Sequence, residues 1–124
     1  MTQVKEWSNK QLDVALAKLC GYEIYAEEFS VSHELVVRYE DPSAIKGLKF
    51  FSPCTDAAAS LEVQTKAIEV SADKYVSNLD ALVNPELIQE GWGNHEIARL
   101  LTASPREMAE AAYITFQEVK RLVD

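Results

Sequence analysis

The sequence predicts an α/β (α+β) protein in which an antiparallel sheet of about four or five strands packs with three main helices, sandwich-like. Three observations point there. Apolar residues recur at helical spacing behind serine caps near both ends of the chain. Between them, residues 22–51 are rich in alternating β-branched and aromatic residues. A proline-broken turn, Ser52-Pro53, then hands the chain to an alanine-rich stretch.

Ser8 and Gln11 are spaced as a capping box, in which the serine hydroxyl and the glutamine side chain satisfy each other's backbone N–H. Leu12, Ala15, Leu16 and Leu19 follow as one apolar stripe, and Gly21 supplies the left-handed residue that ends a helix, so residues 9–20 are predicted helical. Trp7 stands before the cap, placed to pack back on the first turn.

Tyr22, Ile24 and Ala26 alternate with Glu23 and Tyr25, and Leu35, Val37 and Tyr39 share one face of a second run, which predicts two strands. Asp41-Pro42-Ser43 reads as a turn, and Gly47 precedes a short third strand over 48–51. Thr55 is placed to cap a second helix over 56–67, with Asp56 in its first turn. Ala57, Ala58 and Ala59 would let that helix lie close on the sheet. Ile68-Glu69-Val70 and Lys74-Tyr75-Val76 read as further strand material around a Ser71-Ala72-Asp73 turn.

Asn84-Pro85-Glu86 has the pattern of a short helix start ended by Gly91. Residues 94–101 place Ile97, Leu100 and Leu101 at helical spacing but fit an edge strand equally well. Ser104-Pro105-Arg106-Glu107 is the clearest local signal, a capping box with proline at the first helical position. It starts a helix over 105–122 with Met108, Ala111, Ala112, Thr115, Phe116 and Val119 as its buried stripe and Tyr113 beside it. A chain of 124 residues with no internal repeat or linker is read as a single domain spanning 1–124.

Hydrophobic residues at 48% and charged residues at 26% suit an ordinary globular core. No apolar run approaches the roughly 20 residues that span a bilayer, and no signal-peptide pattern opens the chain, so a cytoplasmic location and no membrane partner are expected. Cys20 and Cys54 are far apart and read as free thiols. With His33 and His95 they show no ligand spacing, so neither metal nor other cofactor is expected.

The net charge of −8 is unevenly placed. Residues 21–41 hold six acids against Arg38, and residues 79–98 hold Asp80, Glu86, Glu90 and Glu96 with no base. Such a surface repels phosphate backbones, which argues against direct nucleic-acid binding and suits a partner with a basic surface.

Phe51-Ser52-Pro53-Cys54-Thr55-Asp56, followed by alanines, resembles the "YSPSTD" type of segment in small phage proteins of the phage ABA-sandwich group. It is also similar to the "DPCNNPADAW" segment of NinX-like phage proteins. The helix ending Leu19-Cys20-Gly21-Tyr22, and Ala103-Ser104-Pro105-Arg106-Glu107 with the alanines after it, resemble blocks of the same families in the same order. Such families usually carry a tryptophan in the middle helix, where this chain has Ser60-Leu61-Glu62-Val63. The resemblance implies a phage or prophage origin and a helix-on-sheet sandwich, and it implies no activity.

No catalytic constellation stands out. Ser52, Cys54 and Thr55 read as capping residues before they read as nucleophiles. His33, beside Glu34, reads as an ordinary strand histidine. The expected function is therefore non-enzymatic: a small acidic accessory protein that binds a host protein, with inhibition of a host defence system as its specific form. Trp92 between two glycines, His95, Glu86, Glu90 and Glu96 on one acidic segment, and Glu27 and Glu28 on another, are the candidate partner-binding residues. The alternative is a small-ligand binder that sequesters a nucleotide, stacking it on Trp92, Tyr75 or Tyr113 and holding its phosphate with Arg99, Arg106 or Lys74. Self-association is compatible with either reading, although no heptad argues for it.

Overall fold

The computed structural model describes residues 4–29, 34–40, 46–85 and 93–123. A single 3-10 turn, Val4–Glu6, precedes α1 (Asn9–Leu19), β1 (Glu23–Phe29), β2 (Glu34–Glu40), β3 (Lys46–Phe50), α2 (Ala57–Val83), α3 (Asn94–Leu101) and α4 (Pro105–Val123). Both terminal helices start as their sequences dictate. Ser8 Oγ accepts the Gln11 N–H at 3.1 Å while Gln11 Oε1 accepts the Ser8 N–H at 2.8 Å. The same reciprocal pair joins Ser104 and Glu107 at 3.1 and 2.8 Å. Gly21 follows α1 with φ +84°, a conformation costly for any residue with a Cβ.

The expected alternation in residues 22–26 and 35–39 is realised as an antiparallel meander ordered β1-β2-β3. Val37 pairs with Ile24 on one side and Lys49 on the other, and Arg38 pairs with Glu23 and Leu48. Leu35, Val37 and Phe51 are fully buried, whereas Tyr25, Leu48 and Phe50 on the opposite face are about half exposed. The described helices therefore cover one face of the sheet.

The sheet has three strands among the described residues, fewer than the four or five expected. The missing strand material is helix. Residues 68–76 belong to α2, which runs on to Val83 with one interruption at Ser71 (φ −165°, ψ 99°). Ser71 Oγ accepts the Lys74 N–H at 3.3 Å, so the apparent turn is a fresh cap that restarts the helix. Val63, Ala67, Tyr75 and Leu79 are its buried positions, spaced in multiples of four. Each large buried side chain in this set contributes about 1.5–3 kcal/mol.

Asp56, rather than Thr55, caps α2: its carboxylate accepts the Ala59 N–H at 3.0 Å. The alanine-lined approach also differs from the expectation. α2 packs chiefly along α4; Ala59, Ser60 and Ala67 are buried on the one and Ala109, Ala111 and Ala112 on the other, and Ser60 Oγ donates to Pro105 O at 3.3 Å. Small residues on both partners allow the axes to come close. Asn78 Nδ2 reinforces the seam by donating to Thr115 Oγ1 at 3.1 Å and Glu118 Oε1 at 3.0 Å. The layer on the sheet is instead α1, whose buried residues include Leu12, Leu16 and Ala17.

Trp7 lines a cleft with Lys10, Gln11 and Val14 of α1, and its ring also lies 5.1 Å from that of Tyr113 on α4. Arg106 holds the same N-terminal segment, donating to Val4 O and Trp7 O at 2.9 Å each and to Asn9 Oδ1 at 2.9 Å. The turn at 41–43 and the expected helix start at Glu86 lie outside the described residues, while Asn84 ends α2.

Candidate functional site

Residues 94–101, left between helix and strand by their sequence, form α3. Glu96 Oε1 accepts the Gly93 N–H at 2.7 Å and so fixes the first turn. Asn84, itself buried, ties the helix to the end of α2. Its amide donates to Asp80 Oδ1 at 2.8 Å and Glu96 O at 3.3 Å, and its carbonyl accepts from Arg99 Nη1 at 3.3 Å. These polar ties supplement the packing of Leu100 on the core, since no residue of α3 is fully buried. Ile97 is 41% exposed and Leu101, one turn on, is 81% exposed. The result is a short amphipathic helix whose apolar ridge faces solvent.

Of the residues chosen from the sequence for partner binding, His95 is exposed on α3 and Glu27 is exposed on β1. Glu96 is half-buried and committed to its helix cap. Trp92, Glu86, Glu90, His33 and the side chain of Glu28 lie outside the described residues. Of the residues chosen for stacking and phosphate binding, Tyr75, Tyr113, Arg99 and Arg106 are engaged elsewhere. Tyr75 is 2% exposed, with its hydroxyl donating to Gln64 Oε1 at 2.8 Å, so its ring is closed to a ligand. Arg99 serves Asn84, and Arg106 serves the N-terminal segment and Glu110, whose carboxylate it meets at 2.6 Å.

A different polar cluster, assembled from three elements, lies where α2 approaches the sheet. Lys49 Nζ of β3 is 3.0 Å from Glu62 Oε1 of α2 and 2.9 Å from the Tyr22 hydroxyl, which in turn donates to Glu62 Oε2. The ammonium stands 4.6 Å from the Tyr22 ring centroid and 5.4 Å from that of Tyr39. Burial lowers the Lys49 pKa and raises that of Glu62. Beside the cluster opens a cleft of about 420 Å³, lined by Cys20, Tyr22, Tyr39 and Lys66 among others. None of its members was picked out from the sequence. Glu62 and Lys66 are an i,i+4 pair that reads as an ordinary solvated helix face, and only the fold brings Lys49 and Tyr22 to it.

Cysteine chemistry finds no support here. Burial pushes the Cys20 thiol up to about 11, and burial together with the neighbouring Asp13 raises Cys54 still further. Both are free thiols that stay protonated near neutrality. Cys54 meets Asn9, Asp13 and Arg106, and no described histidine bonds to it. Among the described residues, no group of three or more His, Cys, Asp or Glu is placed to hold a metal ion, and no helix is long and apolar enough to cross a membrane.

Comparison of the chain with family models, curated proteins and solved structures finds no match in any of the three.

Proposed function

We propose that this protein is a non-enzymatic accessory protein of phage or prophage origin that binds a host protein through the exposed ridge of α3. The observation that carries this reading is the exposure of Leu101, at 81%, with Ile97 one turn before it, on a helix that packs on the core through Leu100. A large apolar side chain held almost wholly in water favours a protein contact.

Charge names the chemistry of the partner. Residues 79–98, which run into α3, carry Asp80, Glu86, Glu90 and Glu96 and no base. An apolar ridge in a stretch of sequence that carries four acids fits a basic surface that offers a hydrophobic spot. The resemblance of residues 51–56 and 103–107 to phage families supplies the biological setting, and inhibition of a host defence system is the form of the activity to test first.

The test is a pull-down from host lysate with wild type, Leu101→Glu and Ile97→Glu, each at low and high salt. Both positions are exposed, so neither substitution threatens the fold. The expected result is a protein that wild type retains, that both variants lose, and whose retention falls with salt. A partner held equally by Leu101→Glu, or one indifferent to salt, overturns the reading.

A further inference from the structure

We propose that the cleft beside Lys49 is a binding site for a small phosphate ester of mononucleotide size, with the phosphate on Lys66 and the planar ring against Tyr39. This site is separate from the α3 ridge and does not depend on protein docking there.

The argument is local charge accounting within a suitable volume. About 420 Å³ falls in the range that accepts a small organic ligand. Of the charged groups around it, Glu23 is paired with Arg38 at 3.5 Å and Glu62 with Lys49 at 3.0 Å. Lys66, which lines the cleft, makes no ion pair within 4 Å among the described residues. Glu62, one turn before Lys66, acts on both lysines, so Glu23 and Glu62 against Arg38, Lys49 and Lys66 leave one net positive charge around the cleft in a chain whose net charge is −8. Lys66 and Lys49 also repel each other, and an anion lodged near both relieves that repulsion.

The phenols add selectivity. Tyr22 and Tyr39 both line the cleft, and aromatic faces accept bases of any identity. The Tyr22 hydroxyl accepts from Lys49 and donates to Glu62, which holds its ring in place at the edge of the cleft. Gly47 fixes Tyr39 from the neighbouring strand: a Cβ there would lie 2.8 Å from the Tyr39 Cζ and hydroxyl, so only glycine lets the ring settle across it. Three strand and helix positions thus hold one ring and one cation at the same opening.

The experiment titrates the full chain with the four ribonucleoside monophosphates, and with adenosine and inorganic phosphate as the two halves of a ligand, following backbone amide shifts by NMR. At least one monophosphate is expected to shift the amides of Gly21, Tyr22, Tyr39 and Lys66, and each half-ligand to bind at least about tenfold more weakly. Lys66→Gln, at a half-exposed position, keeps the spectrum of the folded protein and is expected to weaken binding about tenfold or more, the loss of one charge-assisted contact. Tyr39→Leu is expected to reduce monophosphate binding toward that of inorganic phosphate. No shift at these amides with any of the four nucleotides overturns the proposal. So does equal binding by Lys66→Gln, or by adenosine and a monophosphate.

Discussion

The carboxylate of Asp13 accepts the backbone N–H of Cys54 at 3.0 Å, joining the middle of α1 to the turn that launches α2. Both residues are buried, and the bond spans 41 positions of sequence. It fixes where the chain leaves the sheet, and so where Glu62 and Lys66 arrive over Lys49. Replacing Asp13 with Ala leaves the Cys54 N–H without its partner in the interior and is expected to cost about 1–3 kcal/mol, read from urea unfolding.

Asp13→Asn separates the hydrogen bond from the charge, since its side-chain oxygen accepts the same N–H. Burial raises the Asp13 pKa above the ordinary value of 3.8, while the bonds from Cys54 offset part of that rise. An acid whose folded pKa lies above its unfolded one binds more protons when folded. Its contribution is therefore fully present below the unfolded value and declines as pH rises through the folded one. The stability of wild type is expected to fall relative to Asp13→Asn as pH increases from about 4, with the gap levelling once Asp13 is ionised in both states. A gap that stays constant from pH 3 to 7, on the scale of ordinary carboxylate titration, sinks this account.

Arg106 gathers Val4 O, Trp7 O, Asn9 Oδ1 and Glu110 around one guanidinium, a fork that lysine cannot reproduce. Arg106→Lys is expected to cost about 2–3 kcal/mol, because several charge-assisted bonds are replaced by one point charge. The loss has a local signature. Trp7 should separate from Tyr113, so its fluorescence should change in the native baseline before global unfolding begins. Arg106→Lys with an unaltered Trp7 signal contradicts the anchoring role.

Ser71 interrupts α2 and at once recaps it through the Lys74 N–H. Ser71→Ala removes that cap and should cost about 1 kcal/mol. If residues 68–70 and 74–76 were strands around a turn at Ser71-Ala72-Asp73, as their composition suggests, alanine at Ser71 would instead loosen a turn and leave helix content alone. Circular dichroism across the transition, with amide exchange at residues 72–76, distinguishes the two.

That same stretch shows what was legible in the chain and what was not. Caps are local, so Ser8 with Gln11 and Ser104 with Glu107 announced α1 and α4, and Gly21 announced the end of α1. Ile68-Glu69-Val70 and Lys74-Tyr75-Val76 misled because their strand-like composition fills windows shorter than one stripe of the helix. The spacing of Val63, Ala67, Tyr75 and Leu79 emerges only when the window is carried across Ser71. Ile97 and Leu101 were visible at helical spacing, but spacing does not say whether an apolar face is covered. The Lys49 cluster was illegible for a different reason: Tyr22, Lys49 and Glu62 meet through tertiary packing, which no short-range pattern encodes.

Gly47 gives the sharpest check on that packing. It pairs with Tyr39 across β2 and β3, and an alanine Cβ would come within 2.8 Å of the ring carbon Cζ and the hydroxyl and 3.0 Å of Cε1. These are side-chain atoms of a half-exposed tyrosine, so the ring is free to swing aside and the strand need not break. The backbone at Gly47 imposes no left-handed conformation, so strain there adds nothing to the cost. Gly47→Ala is therefore expected to fold, with a loss of about 1 kcal/mol from one displaced aromatic contact. The displaced ring should also move away from Lys49, removing the cation–π contact that now stands at 5.4 Å. Ring-proton shifts of Tyr39 report that movement directly. Unchanged Tyr39 shifts in a folded Gly47→Ala protein show that the ring does not rest on this glycine.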